Sequence, residues 1–207
     1  MTSVITGDII NSRKAADPEL WLPSLKKVLT AVTGSEKLWE IFRGDSFQLE
    51  VRDVYHTFEA CMRIKATVKM VKGLDVRMAI GIGELSDEYR SISEAAGQVF
   101  IFSGERFETL KKSKTNLAIK SVRNDIDEDL NLIFRLLGIA TDNWTVNSAE
   151  IVKLSLENQK KSQSELGQMI GIKQNTVSER QKRAYLEEVM AVDTMFKKKI
   201  DHIQHPD

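Results

Sequence analysis

The 207-residue chain is expected to fold as an α+β protein: a β-α-β-β-α-β sheet domain over about residues 1–140, then a small all-α helix-turn-helix domain over about 147–200. Three observations lead there. Short apolar runs bounded by turn residues alternate with longer segments in which apolar residues recur every three or four positions, the periods of strands and helices. The resulting order is strand, helix, strand, strand, helix, strand, helix, strand, helix, and its β-α-β-β-α-β core is the ferredoxin-like arrangement, with the first and third strands as central neighbours. Beyond a break at Gly138–Ser148 no strand pattern remains.

The first strand, Met1–Arg13, carries Val4 and Ile5 and delivers Asp8 at its end, followed by Ile9, Ile10 and the polar turn Asn11-Ser12-Arg13. A carboxylate at the exit of a buried strand is costly unless something pairs with it. Asp17-Pro18-Glu19 then starts a helix with a capping acid and a first-turn proline, and Gly34 closes it. A hairpin follows, Leu38–Arg43 and Ser46–Arg52, joined by the turn dipeptide Gly44-Asp45. On its return strand Phe47, Leu49 and Val51 alternate with polar residues, as on a half-buried strand. Val54–Val71 reads as a long amphipathic helix. In the strand Asp75–Gly83, Gly81 and Gly83 invite close approach by backbone or ligand. Ser93–Lys112 is a helix capped by Ser93, Asn116–Val122 a last strand, and Asp125–Ile139 a helix with acids in its first turn.

If the first and third strands are neighbours, Asp8 and Asp45 converge, and convergent carboxylates repel unless a hard cation such as Mg²⁺ lies between them, usually with substrate phosphates. The plainer alternative makes the two aspartates an N-cap and a hairpin turn.

The second constellation is Ser162–Ala184. Ser162 and Glu165 form a capping box, Leu166, Met169 and Ile170 an inner face, Gly171 the turn, and Ile172 and Val177 the plug of a helix-turn-helix. Lys173, Gln174, Asn175, Thr176, Ser178, Arg180, Gln181 and Lys182 are the outward candidates, side-chain types that bond base edges and phosphates in a major groove. Glu165 and Glu179 oppose phosphates, and a helical bundle for bracing or dimerisation remains the alternative.

Composition bounds the rest. Hydrophobic residues make up 42% and charged residues 29%, ordinary for a globular protein. Thirty basic and thirty acidic residues cancel, so only local charge can point to a polyanion. No apolar stretch approaches the roughly 20 residues that span a bilayer, and the start lacks the basic-then-apolar pattern of a secretory leader. No membrane partner is expected. With Cys61 alone, no internal disulfide forms, which suits a cytoplasmic protein.

ITGDIINSR, IFRGDSFQ and VRMAIGIGE together resemble the SatD family of bacterial proteins over about residues 2–123. The same segments are similar, more distantly, to class III nucleotidyl cyclases and diguanylate cyclases. That resemblance implies a cyclase-like fold, Asp8 and Asp45 as ligands of Mg²⁺ or Mn²⁺ with the Ile9 carbonyl helping, and Asn11, Ser12, Arg13, Gly44 and Arg106 around the nucleotide phosphates. The asparagine that cyclases carry one turn before the arginine is apolar here, in Gly97–Glu108, and no third acid for base selection is identifiable. The expectation is therefore a cytoplasmic, homodimeric, DNA-binding regulator whose first domain binds a nucleotide with a divalent metal. The alternative is a metal-dependent nucleotide-processing enzyme with a helical accessory tail.

Overall fold

A computed structural model describes residues 1–14, 17–86, 89 and 91–205. The fold is mixed α+β, with a five-stranded sheet and, among the described residues, eight α-helices. The strands are β1 (Thr2–Ile10), β2 (Trp39–Phe42), β3 (Ser46–Val51), β4 (Asp75–Gly83) and β5 (Leu117–Lys120). They stand in the order β2-β3-β1-β4-β5, antiparallel except for the parallel pair β4 and β5. The helices are α1 (Leu22–Thr33), α2 (Thr57–Lys69), α3 (Gln98–Ser113), α4 (Asn124–Thr141), α5 (Val146–Glu157), α6 (Gln163–Ile170), α7 (Gln174–Arg183) and α8 (Leu186–Gln204). None of the described helices is long and apolar enough to cross a membrane.

The two faces of the sheet are built from different residue sizes, and β4 shows why. Met78, Ile80 and Ile82 point to one face and pack with Leu25 and Leu29 of α1, Phe58 and Ile64 of α2, and Leu130 and Phe134 of α4. Arg77, Ala79, Gly81 and Gly83 alternate to the other face. A Cβ on Gly81 would lie 2.2 Å from the Val99 carbonyl oxygen and 2.6 Å from the Ser103 nitrogen, so α3 rests its backbone on the strand at a spacing that only glycine permits. The neighbour that Gly81 and Gly83 admit is thus the helix α3.

Several boundaries differ from expectation. β1 stops at Ile10, because Asn11 takes a left-handed conformation (φ 66) and a 3₁₀ turn follows at Ser12–Lys14. Asp17 does accept a hydrogen bond from the Glu19 N–H, but it caps a separate 3₁₀ turn, and α1 begins only at Leu22. The hairpin loop holds three residues, not two: Phe42 pairs with Ser46, and positive φ falls on Arg43 and Gly44. The helix expected from Ser93 is broken into a 3₁₀ turn at Ile92–Glu94 and α3 from Gln98.

β5 is an edge strand, with α4 sealing its open side. Asn131 donates to the Ile119 carbonyl at 3.0 Å and accepts from the Ile119 N–H at 2.9 Å, as a neighbouring strand would. One turn earlier, Asp127 accepts from the N–H and hydroxyl of Ser121 at 2.7 and 2.8 Å. Burial pushes the Asp127 carboxyl above its ordinary range, although the Ser121 bonds oppose this. Apolar burial then runs without interruption from the sheet into the helical region: Phe58 stacks on Phe134 at 5.5 Å and meets Phe196 of α8 at 6.1 Å.

Candidate functional site

The end of β1 and the β2–β3 hairpin do come together. β1 pairs with β3 so that Asp8 stands opposite Ser46, and the Ile9 N–H donates to the Asp45 carbonyl at 3.0 Å. That bond occupies the Ile9 amide. The Ser12 hydroxyl donates to Asp45 Oδ2 at 2.6 Å and ties the loop after β1 to the hairpin tip. The exposed Asn11 donates from Nδ2 to the Gly73 carbonyl at 3.1 Å. Arg13 and Gly44 are exposed, and Gly44 has open space around its Cα.

Asp8 itself is held by a residue that the sequence pattern did not single out. Arg77 is its cross-strand partner on β4, and its Nε and Nη2 donate to Oδ1 and Oδ2, each at 3.0 Å. The pair is largely enclosed, with side-chain exposures of 14% for Asp8 and 21% for Arg77. A bidentate guanidinium neutralises the carboxylate and fixes its plane. A divalent cation bridging Asp8 and Asp45 fits this corner only if Arg77 swings away, since its positive charge stands where the metal's charge would act. No group of three or more His, Cys, Asp or Glu side chains converges among the described residues. A lone arginine in the otherwise apolar run VRMAIGIG was the available signal: such a charge inside a strand needs a partner.

Arg106 belongs to a different place. It lines a cleft of about 930 Å³ between α3, the edge of β5 and α4, together with Asp127, Lys120 and Arg135. Burial lowers the pKa of its guanidinium, the Asp127 charge opposes that, and its Nε is buried with no hydrogen-bond partner. Asp8 and Asp45 line no part of this cleft.

Beside β1 the same sheet face carries a polar ladder. Gln48 donates to the Thr6 hydroxyl, and Thr6 to Ser103 Oγ, both at 3.0 Å. Glu50, only 2% exposed, accepts from Thr2 and from the Tyr89 hydroxyl, whose pKa burial and the Glu50 contact raise.

The helical region presents a second candidate surface. Ser162 Oγ accepts from the Glu165 N–H and the Glu165 carboxylate accepts from the Ser162 N–H, a complete capping box at the start of α6. Gly171 ends α6 in the left-handed conformation (φ 70), where a side chain would be strained. Gly167 was not picked out from the sequence, yet a Cβ there would sit 2.5 Å from the Ile172 carbonyl and 3.3 Å from Val177. Its lack of a side chain lets α7 close onto α6. Val177 and Ala184 are fully buried, and Trp144 Nε1 donates to the Ala184 carbonyl at 2.8 Å.

On α7, Lys173, Gln174, Asn175 and Lys182 are exposed, and Thr176 and Ser178 half-buried. Two of the expected outward residues turn inward instead. Arg180 bonds Glu150 of α5 at 2.6 Å, and Gln181 donates to Ser155 at 3.0 Å. Gln174, Gln163 and Gln181 continue that chain of amides across α6 and α7. Their position opposite α5 explains this: half-buried polar groups take their hydrogen-bond partners from the helix they face.

Comparison with protein-family models, with curated proteins and with solved structures returns no match to the chain.

Proposed function

We propose that the protein is a DNA-binding transcriptional regulator in which α6, its glycine turn and α7 form a helix-turn-helix, joined to a ferredoxin-like, cyclase-like domain that binds a phosphorylated nucleotide. The observation that carries this reading is the pairing of α6 with α7: a small residue at Gly167, a left-handed Gly171 and a buried Val177 lock the two helices, while Lys173, Gln174, Asn175 and Lys182 stay exposed along α7. Exposed lysines contact phosphates, and Gln and Asn offer donors and acceptors to base edges.

The ligand side is supported by the strand order β2-β3-β1-β4, which has the ferredoxin-like sequence of neighbours and sets the Asn11–Arg13 loop against Asp45. The phosphates would lie over that loop with Arg13, and Mg²⁺ or Mn²⁺ would enter at Asp8 and Asp45 as Arg77 leaves.

Fluorescence anisotropy with a random-sequence DNA duplex tests the first half. Binding in the non-specific range, a Kd of about 10⁻⁴–10⁻⁶ M, is expected and must weaken steeply as salt rises. Lys173→Ala and Lys182→Ala each lower the salt slope by about 1. No binding at low salt, or binding indifferent to salt, sinks the DNA reading. Thermal melting of wild type and Asp45→Ala against nucleoside triphosphates with Mg²⁺ tests the second half, which fails if no nucleotide raises the wild-type Tm.

A further inference from the structure

We propose that the outward face of α4 is the surface through which two copies of this chain pair, with their α4 helices antiparallel about a two-fold axis. α4 has two apolar faces. Ile126, Leu130, Phe134 and Leu137 are buried against the sheet. On the opposite side Leu132, Leu136 and Ile139 are 49%, 59% and 71% exposed. Their spacing of four and then three residues places them in one line along the helix, the seam spacing of paired helices. No other helix among the described residues presents more than one large apolar side chain to solvent. A stripe of this kind on a charged helix marks an interaction surface, since isolated exposed leucines are common but aligned ones are not.

The charges on the same face identify the occupant. Asp125, Glu128 and Asp129 lie in the first turns of α4, where they make the N-terminal half acidic. Arg135 lies in the second half, and the exposed Lys114 borders the same groove as Arg135, Ile139 and Asn143. Asp125 and Asp129 are answered locally by Arg123 and Lys199. Glu128, Arg135 and Lys114 have no ion-pair partner among the described residues. A surface that runs from acid to base along a helix is complementary to itself when reversed. Antiparallel pairing about the middle of the Leu132–Ile139 stripe brings Glu128 of each copy to the Asn143 end of the other, where Lys114 lies, and opposes the helix dipoles, whereas parallel pairing stacks acid on acid. The acidic end also disfavours a nucleic acid or an anionic membrane as occupant. An isologous contact of this sort closes on itself and yields a dimer. It stands whether or not α7 reads DNA.

Sedimentation velocity of the full chain tests it. Wild type is expected at the mass of two chains at tens of micromolar. Leu136→Glu and Ile139→Glu, both at exposed positions, are expected at the mass of one chain, with circular dichroism and Tm unchanged. Lys114→Glu weakens association about tenfold, and adding Glu128→Lys in the same chain restores it, because the exchanged charges are again complementary. A wild-type chain that stays single at about 100 μM, a dimer that survives Leu136→Glu in a folded chain, or a charge exchange that fails to restore association would each overturn the proposal.

Discussion

At the scale of single residues, the Asp8–Arg77 pair decides how the candidate ligand corner behaves. Both partners are mostly enclosed, so removing one leaves a charge with little water to compensate it. Arg77→Met is expected to cost about 1–3 kcal/mol, and Asp8→Asn in the Arg77→Met background to recover most of that loss, as a double-mutant cycle would show. The same single substitution uncovers Asp8. Mn²⁺ titrated against Arg77→Met, followed by electron paramagnetic resonance, is expected to bind more tightly than to wild type. Equal binding would mean that the corner is no cation site. Asp8 was legible in the sequence because an acid that ends an apolar run must be explained locally. Arg77 was not, because it sits 69 positions away and becomes a neighbour only through the β1–β4 register. For Arg106 the resemblance supplied a role, and only the packing of α3 over β5 shows the cleft that its side chain lines.

At the scale of elements, the start of α6 is held by chemistry that depends on pH. The Ser162 N–H and hydroxyl both donate to Glu165, and these bonds keep its carboxyl below the usual range. A carboxylate whose pKa is depressed in the folded state contributes stability above its unfolded value and loses it as pH falls through the folded one. The Tm difference between wild type and Glu165→Gln should therefore be present at pH 7 and shrink toward pH 3. Ser162→Ala, which removes the cap itself, should cost about 1 kcal/mol at neutral pH. This element was readable to the residue, since Ser162 and Glu165 act within one turn of chain at its start and Gly171 marks its end by its own conformation. The same holds for β4, found at Asp75–Gly83 as expected. Where signals compete, boundaries slipped. Ser93 looks like a cap, but the chain makes a separate turn there and enters α3 through Gly97 at φ 143, a conformation closed to other residues. The sealing of β5 by Asn131 and Asp127 left no local trace, because it pairs a helix with a strand edge that the sequence does not announce.

At the scale of the whole molecule, the break in pattern at Gly138–Ser148 does not interrupt the core. α4 runs through to Thr141, and Trp144, Val152, Val189 and Phe196 continue the apolar cluster that contains Phe58 and Phe134. Unfolding should accordingly be one transition, with tryptophan fluorescence and far-ultraviolet circular dichroism giving coincident curves in urea. Two separated transitions would show that the helical region melts by itself. The joint between the two regions has a further consequence for anyone dissecting the chain. Lys65 and Lys69 are 3% and 8% exposed, and Asp142, at the end of α4, accepts from Lys65 Nζ at 2.6 Å and, through its carbonyl, from Lys69 Nζ at 2.7 Å. Among the described residues, Asp75 is the only carboxylate that pairs with both ammonium groups. A cut placed before Asp142, within the break in sequence pattern, would leave two buried lysines sharing one counter-ion. A fragment of the sheet region that ends before Asp142 is therefore expected to fail, having lost a buried counter-ion as well as the core it shares with the helices.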